Sequence, residues 1–200
     1  MIGIIVNLFQ KIMRNIILNK IYTGIGSRET PADILEQMRW LANRLFHVGY
    51  TLRSGGASGA DQEFEWGLAN ADPNKQLIQN RSEIYLPWKT FEEENRSWII
   101  PKLNNALSPA FEIAAQFHPA WNRLSWGAKK LQARNSHQVL GANCNIPILS
   151  DFVICWTKNA KGGGGTGQAI RIAKAFKVPV YDLADDEAIL KVTEYLNESI

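Results

Sequence analysis

The sequence predicts an α/β fold, a mainly parallel sheet of about five strands with helices on both faces, and three observations predict it. After residue 20, short apolar runs alternate with stretches of helical periodicity. Glycine-rich segments follow three of those runs, and each precedes a helix. The run Ser150–Trp156 is almost continuously apolar, as suits a strand buried on both faces. Together they describe a Rossmann-like three-layer fold with an added helical middle segment.

Each element has its own signal. Ile21–Ile25 is a short strand leading into Gly24-Ile25-Gly26-Ser27-Arg28. The helix after it carries an apolar stripe through Ile34, Leu35, Met38, Leu41, Ala42, Leu45 and Phe46, and Gly49 ends it. Thr30 is expected as its N-cap, Pro31 as its first residue and Asp33 as the partner in a capping box. Tyr50–Arg53 is the second strand, followed by Ser54-Gly55-Gly56-Ala57-Ser58-Gly59-Ala60-Asp61 and a helix to Ala69. Glu83–Trp88 is the third. In the helical middle, residues 89–148, helix starts are expected at Thr90 with Glu93 and at Ser108 with Pro109. His118-Pro119 breaks the second of these, and a longer helix covers Trp121–Leu140. Ser150–Trp156 is the fourth strand; Lys161-Gly162-Gly163-Gly164-Gly165-Thr166-Gly167 then opens a helix to Phe176. Val178–Leu183 is the fifth strand, and a helix from Asp185 to Asn197 follows.

Right-handed crossovers place every strand-to-helix loop at the carboxyl edge of such a sheet. With strand order 3-2-1-4-5, the three glycine loops converge on the crevice where these sheets bind ligands. A glycine loop ahead of a helix exposes backbone N–H groups to an anion at the positive end of the helix dipole. Gly162 to Gly165 with Thr166 is the sharpest case. The first loop begins GxGxxG, but Glu29 stands in place of the third glycine and no acidic residue ends the second strand. Dinucleotide binding of that kind is disfavoured, and no Walker A loop occurs.

Composition bounds the partners. Hydrophobic residues make up 46% and charged residues 20%, which is a globular balance. The net charge of +3 with scattered basic residues argues against a dedicated duplex-DNA binder and suits a small anionic ligand. Cys144 and Cys155 stand in no metal or CxxC spacing, and a reducing, cytoplasmic setting is expected. His47 and His137 complete no metal cluster, and no metal or cofactor is called for. Residues 1–19 are read as a separate amphipathic segment ahead of a nucleotide-binding domain over 20–200. Its apolar positions Ile5, Leu8, Phe9, Ile12, Met13 and Ile16 recur at helical spacing, interrupted by Gln10, Lys11, Arg14 and Asn15. Packing or homo-oligomer contact is the expectation for it, not a membrane span or a signal peptide.

The three loops with Ser150-Asp151-Phe152-Val153-Ile154 and Gly165-Thr166-Gly167 resemble the superfamily (SLOG) that includes the DNA-processing protein DprA (Smf) and the Lonely Guy phosphoribohydrolases. The resemblance spans about residues 20–183 and covers the helical middle poorly. It implies a nucleotide pocket with Asp61 beside it, as in DprA-like and YspA-like members. In the Lonely Guy enzymes an arginine before the fourth strand and a glutamate after the glycine-threonine loop serve cleavage of an N-glycosidic bond. Arg134-Asn135 stands at the first place; at the second stands Ala169, and Lys161 replaces the loop's proline. The resemblance thus implies a phosphate cradle without that carboxylate, unless Asp61, Glu65 or Glu112 supplies one.

The candidate ligand residues are Gly24, Gly26, Ser27 and Arg28 of the first loop and Ser54, Gly55, Gly56, Ala57 and Asp61 of the second. Arg134, Asn135, Gly163, Gly164, Gly165, Thr166, Gly167 and Gln168 complete the phosphate side. Trp88 is expected to cover a base, with Trp156 and His118 as alternatives; Trp40 and Trp66 are read as packing. The leading expectation is a binder of a phosphate-bearing nucleotide or nucleotide-derived signal, acting as sensor, carrier or sequestering protein. The alternatives are a nucleotide N-glycosidase and, by resemblance to DprA, a single-strand DNA-binding recombination mediator.

Overall fold

The computed structural model describes residues 20–92, 102–103 and 108–198. The alternation seen in the sequence becomes β1 (Ile21–Gly24), α1 (Ala32–His47), β2 (Thr51–Ser54), α2 (Ala60–Ala71) and β3 (Ser82–Leu86). There follow β4 (Lys102–Leu103), α3 (Ser108–Phe117), α4 (Trp126–Leu140), β5 (Phe152–Cys155), α5 (Thr166–Ala175), β6 (Val180–Asp182) and α6 (Asp186–Glu198). All pairings among the described residues are parallel, in the order β4-β3-β2-β1-β5-β6. The expected order 3-2-1-4-5 is there, extended at the β3 edge by the two-residue β4.

Side-chain alternation along the strands builds the three layers. Phe152 and Ile154 of β5 join Tyr22, Leu52 and Ile84 in a core closed by α1, α2 and α6, with Leu45, Phe64 and Leu196 inserted. Val153 and Cys155 point the other way, into a second core with Ala114 of α3, Ala133 of α4 and Ile172 of α5. Burying one such large side chain contributes about 1.5–3 kcal/mol. The second face is polar beneath α4: Thr23 Oγ1 donates to the Gln138 carbonyl, and Arg53 pairs with Glu83 at 2.7 Å and donates to the Ile148 carbonyl. These bonds satisfy groups that would otherwise be buried without partners.

Several boundaries differ from the sequence reading. Thr30 does not cap α1: the N-cap is Pro31, with no side-chain cap bond, and the Thr30 hydroxyl donates instead to the Ser27 carbonyl at 2.7 Å. The chain folds back on the first glycine loop before the helix begins, which takes the hydroxyl away from the helix. The helix expected over Trp121–Leu140 is split. Trp121–Arg123 is a 3-10 turn, and α4 restarts where Ser125 accepts the Ala128 N–H. The second strand is shifted by one residue, from Tyr50–Arg53 to Thr51–Ser54, and the other expected strands are shorter than read, because ladder pairing stops where the chain leaves for the loops. The segment 1–19 and the helix start at Glu93 lie outside the described residues.

Candidate functional site

At the carboxyl edge of β1, β2 and β5 lies a cleft of about 310 Å³. Three walls form it: the first loop (Ile25–Glu29), the third (Gly163–Thr166), and one face of α4 presenting Leu131, Arg134, Asn135 and Gln138. Ala57, Asp61 and Phe91 close it. Of the candidates, Gly26, Ser27, Arg28, Ala57, Asp61, Arg134, Asn135, Gly163, Gly164, Gly165 and Thr166 line this cleft.

The first two loops are tied together by side chains of the protein itself. Asp61, at the start of α2, accepts the Gly26 and Ala57 N–H groups at 3.3 Å each, tying one loop to the other. Its charged partner is Arg134 of α4, at 3.2 Å, and both side chains are more than nine-tenths buried. Burial pushes the Asp61 carboxyl above the usual carboxylate range, against the pull of Arg134 and the two amides. With its amide turned to suit its neighbours, Gln138 accepts the Gly55 N–H at 3.0 Å. Glu92 accepts the Ser58 N–H at 2.9 Å. Ser27 Oγ accepts the Glu29 N–H, so that hydroxyl is engaged within its own turn.

The third loop is different. The N–H groups of Gly163, Gly164, Gly165 and Thr166 have no acceptor among the described residues. They stand at the N-terminal end of the ten-residue α5. Gly162 and Gly164 have left-handed backbones, φ 62° and 63°, which only glycine adopts at little cost. A Cβ added at Gly163, Gly164 or Gly165 would meet nothing within 4 Å, so the loop's outer side is open to whatever fills the cleft. The loop is nonetheless anchored at both ends. Thr157 Oγ1 accepts the Gly162 N–H at 2.9 Å and donates to Asp182, and Asn135 donates to the Gly165 carbonyl at 2.9 Å.

Other expected residues lie elsewhere. Gly24 packs against the Phe64 ring and Gly55 against the Arg134 guanidinium, each where a Cβ would collide. Ser54 donates to the Gly24 carbonyl, joining β2 to β1; neither it nor Gly56 lines the cleft. Gly167 lies against the Gly162 carbonyl, and Gln168 is fully buried, donating to the Ala114 carbonyl. Trp88 stands on the turn after β3 and packs its edge on Phe91, with Phe91, not Trp88, reaching the cleft. Trp156 packs on the first core, and His118 sits in a separate depression, its Nδ1 accepting the Ala120 N–H. Glu65 and Glu112 do not line the cleft. Ala169 is buried in the second core, so the position that carries the Lonely Guy glutamate turns inward here, away from the cleft.

Ile25, Glu29, Phe91, Leu131, Gln132 and Gln138 line the cleft without having been among the expected ligand residues. Leu131, Arg134, Asn135 and Gln138 recur at helical spacing, and that stripe was the available signal. Phe91 had none, because only the fold brings residue 91 beside loops about 30 to 75 residues away in sequence.

No protein-family model matches the sequence, and no curated protein matches it. Among solved structures the fold is similar to DNA processing protein A from Helicobacter pylori, a structure described for its single-stranded DNA binding mode. The TM-score is 0.53 at 18% identity, over 90% of this chain and 80% of that one. The likeness is one of fold. It supports a DprA-like, Rossmann-type arrangement for this chain. No helix among the described residues is long and apolar enough to cross a membrane.

Proposed function

We propose that the chain binds a phosphate-bearing nucleotide, with its phosphate on the N–H groups of Gly163 to Thr166. One observation carries this reading: four consecutive residues at a helix start line the cleft, and their amides have no protein acceptor among the described residues. Unpaired amides at a helix N-terminus form an anion site without needing a net positive charge. The charge on the lining is balanced, Arg28 and Arg134 against Glu29 and Asp61. Ile25, Phe91 and Leu131 supply the apolar surface for a sugar and base. The acidic group nearest the centre, Asp61, holds the loops together, which favours binding over bond cleavage. Membership of the SLOG superfamily fits the same loops, and the binding unit is residues 20–200.

A second reading, favoured by the structural likeness, is that the cleft holds nucleotides of a single DNA strand. The fold comparison supports this more directly than it supports a free nucleotide. Lys158 and Lys161, exposed beside the third loop, would meet the backbone of such a strand.

Calorimetric titration with AMP and with single-stranded oligonucleotides tests both. Saturable AMP binding, lost when Gly163 and Gly165 are both alanine, is the expected result. Oligonucleotide binding that falls steeply with salt, without AMP binding, would replace the first reading by the second. A chain beginning at Asn19 should keep its affinity, since residues 1–19 are assigned outside the cleft.

A further inference from the structure

The turn after β3 brings a carboxylate onto the first two loops. Glu92 has a left-handed backbone, φ 50°, an uncommon state for a residue with a Cβ. From there its Oε1 pairs with the Arg28 guanidinium at 2.5 Å, while Oε2 accepts the Ser58 N–H at 2.9 Å. Its neighbour Phe91 lines the cleft and lies under the Arg134 guanidinium, 5.8 Å from the ring centre. The groups that Glu92 engages, a guanidinium and a backbone amide ahead of a helix, are those that hold phosphate oxygens. Arg28 is itself part of the lining, across the cleft from Gly163 to Thr166.

We propose that Glu92 is an internal competitor, occupying the place of a second anionic group of the ligand. This rests on the phosphate reading of the third loop and extends it to a ligand with two phosphates. The first phosphate sits on the third loop; the second displaces the Glu92 carboxylate from Arg28 and Ser58. The displacement is easy, because the Arg28 side chain is 62% exposed and its ion pair competes with water. The two phosphates come from a nucleoside diphosphate or from neighbouring positions of a single strand. The spacing they require separates the two.

The experiment titrates AMP, ADP and a 5′-phosphorylated thymidine dinucleotide into the wild type, Glu92→Gln and Arg28→Gln, with thermal melts to show that each variant is folded. Glu92→Gln should strengthen binding of a two-phosphate probe about tenfold and leave AMP within about twofold. Arg28→Gln should remove the advantage of that probe over AMP. A gain with ADP alone assigns the diphosphate; a gain with the dinucleotide alone assigns the strand. AMP binding that Glu92→Gln strengthens as much as it strengthens ADP or the dinucleotide overturns the competitor and leaves the third-loop reading standing. So does AMP binding with no gain for any probe. If no probe binds the wild type or Glu92→Gln, the third-loop reading falls and this inference with it.

Discussion

The two sides of the cleft are built from the same residue type and behave as opposites. On the β1–β2 side, the Gly26, Gly55, Ala57 and Ser58 amides donate to Asp61, Gln138 and Glu92, all side chains of the protein itself. On the β5 side, Gly163 to Thr166 line the cleft and their amides have no such partner among the described residues. Glycine in the first two loops therefore allows backbone to pass close to Phe64 and Arg134, and it serves the fold. In the third loop it leaves space and donors for something else. Glycine content alone does not separate a scaffold from a ligand cradle; the fate of the amides does.

The comparison breaks most visibly at Asp61. Asp61→Ala removes the shared acceptor of two loops and leaves the buried Arg134 without that carboxylate. A loss of about 3–5 kcal/mol in urea unfolding is expected, the scale for breaking one partner of a buried pair. A loss below about 1 kcal/mol would mean that the loops hold their shape without it.

Ala169→Glu probes the inner side of the third loop's helix. The new carboxylate would enter the second core and not the cleft, so a loss of about 3 kcal/mol or more is expected. Adenine release from AMP should stay at background in both the natural protein and this variant. Robust turnover by the variant, with stability unchanged, would place residue 169 in the cleft and reverse the assignment.

Gly163→Ala with Gly165→Ala sharpens the contrast from the other side. The added methyl groups meet nothing in the protein, so the melting temperature should hardly move. They would stand where a phosphate approaches, and losing one or two charge-assisted bonds there costs about 1.5–3 kcal/mol of binding, roughly 10- to 100-fold. Calorimetry with AMP reads this directly, and unchanged affinity would remove the cradle.

Thr157→Val should have the smallest effect. It deletes the hydroxyl that accepts the Gly162 N–H and donates to Asp182, at a cost of about 1 kcal/mol in stability. Because that hydroxyl anchors the loop from outside the cleft, AMP affinity should fall only severalfold. A loss as large as that of the double glycine variant would show that Thr157 sets the loop's whole conformation.

Local chemistry was enough to read the alternation of strands and helices, the strand order and the convergence of three glycine loops. Periodicity and glycine placement act over a few residues, and right-handed crossovers leave few topologies to choose from. Arg134 and Asn135 were legible through the resemblance, and both line the cleft. The tertiary structure alone decided which loop amides are taken by the protein, because the acceptors come from far along the chain: Glu92 is 34 residues from Ser58, and Asp61 is 35 from Gly26. It also decided that Phe91, not Trp88, reaches the cleft, and that Ala169 turns into the core. An amide's partner and a side chain's facing depend on what packs beside them, and for these residues that neighbour lies on a different strand or helix.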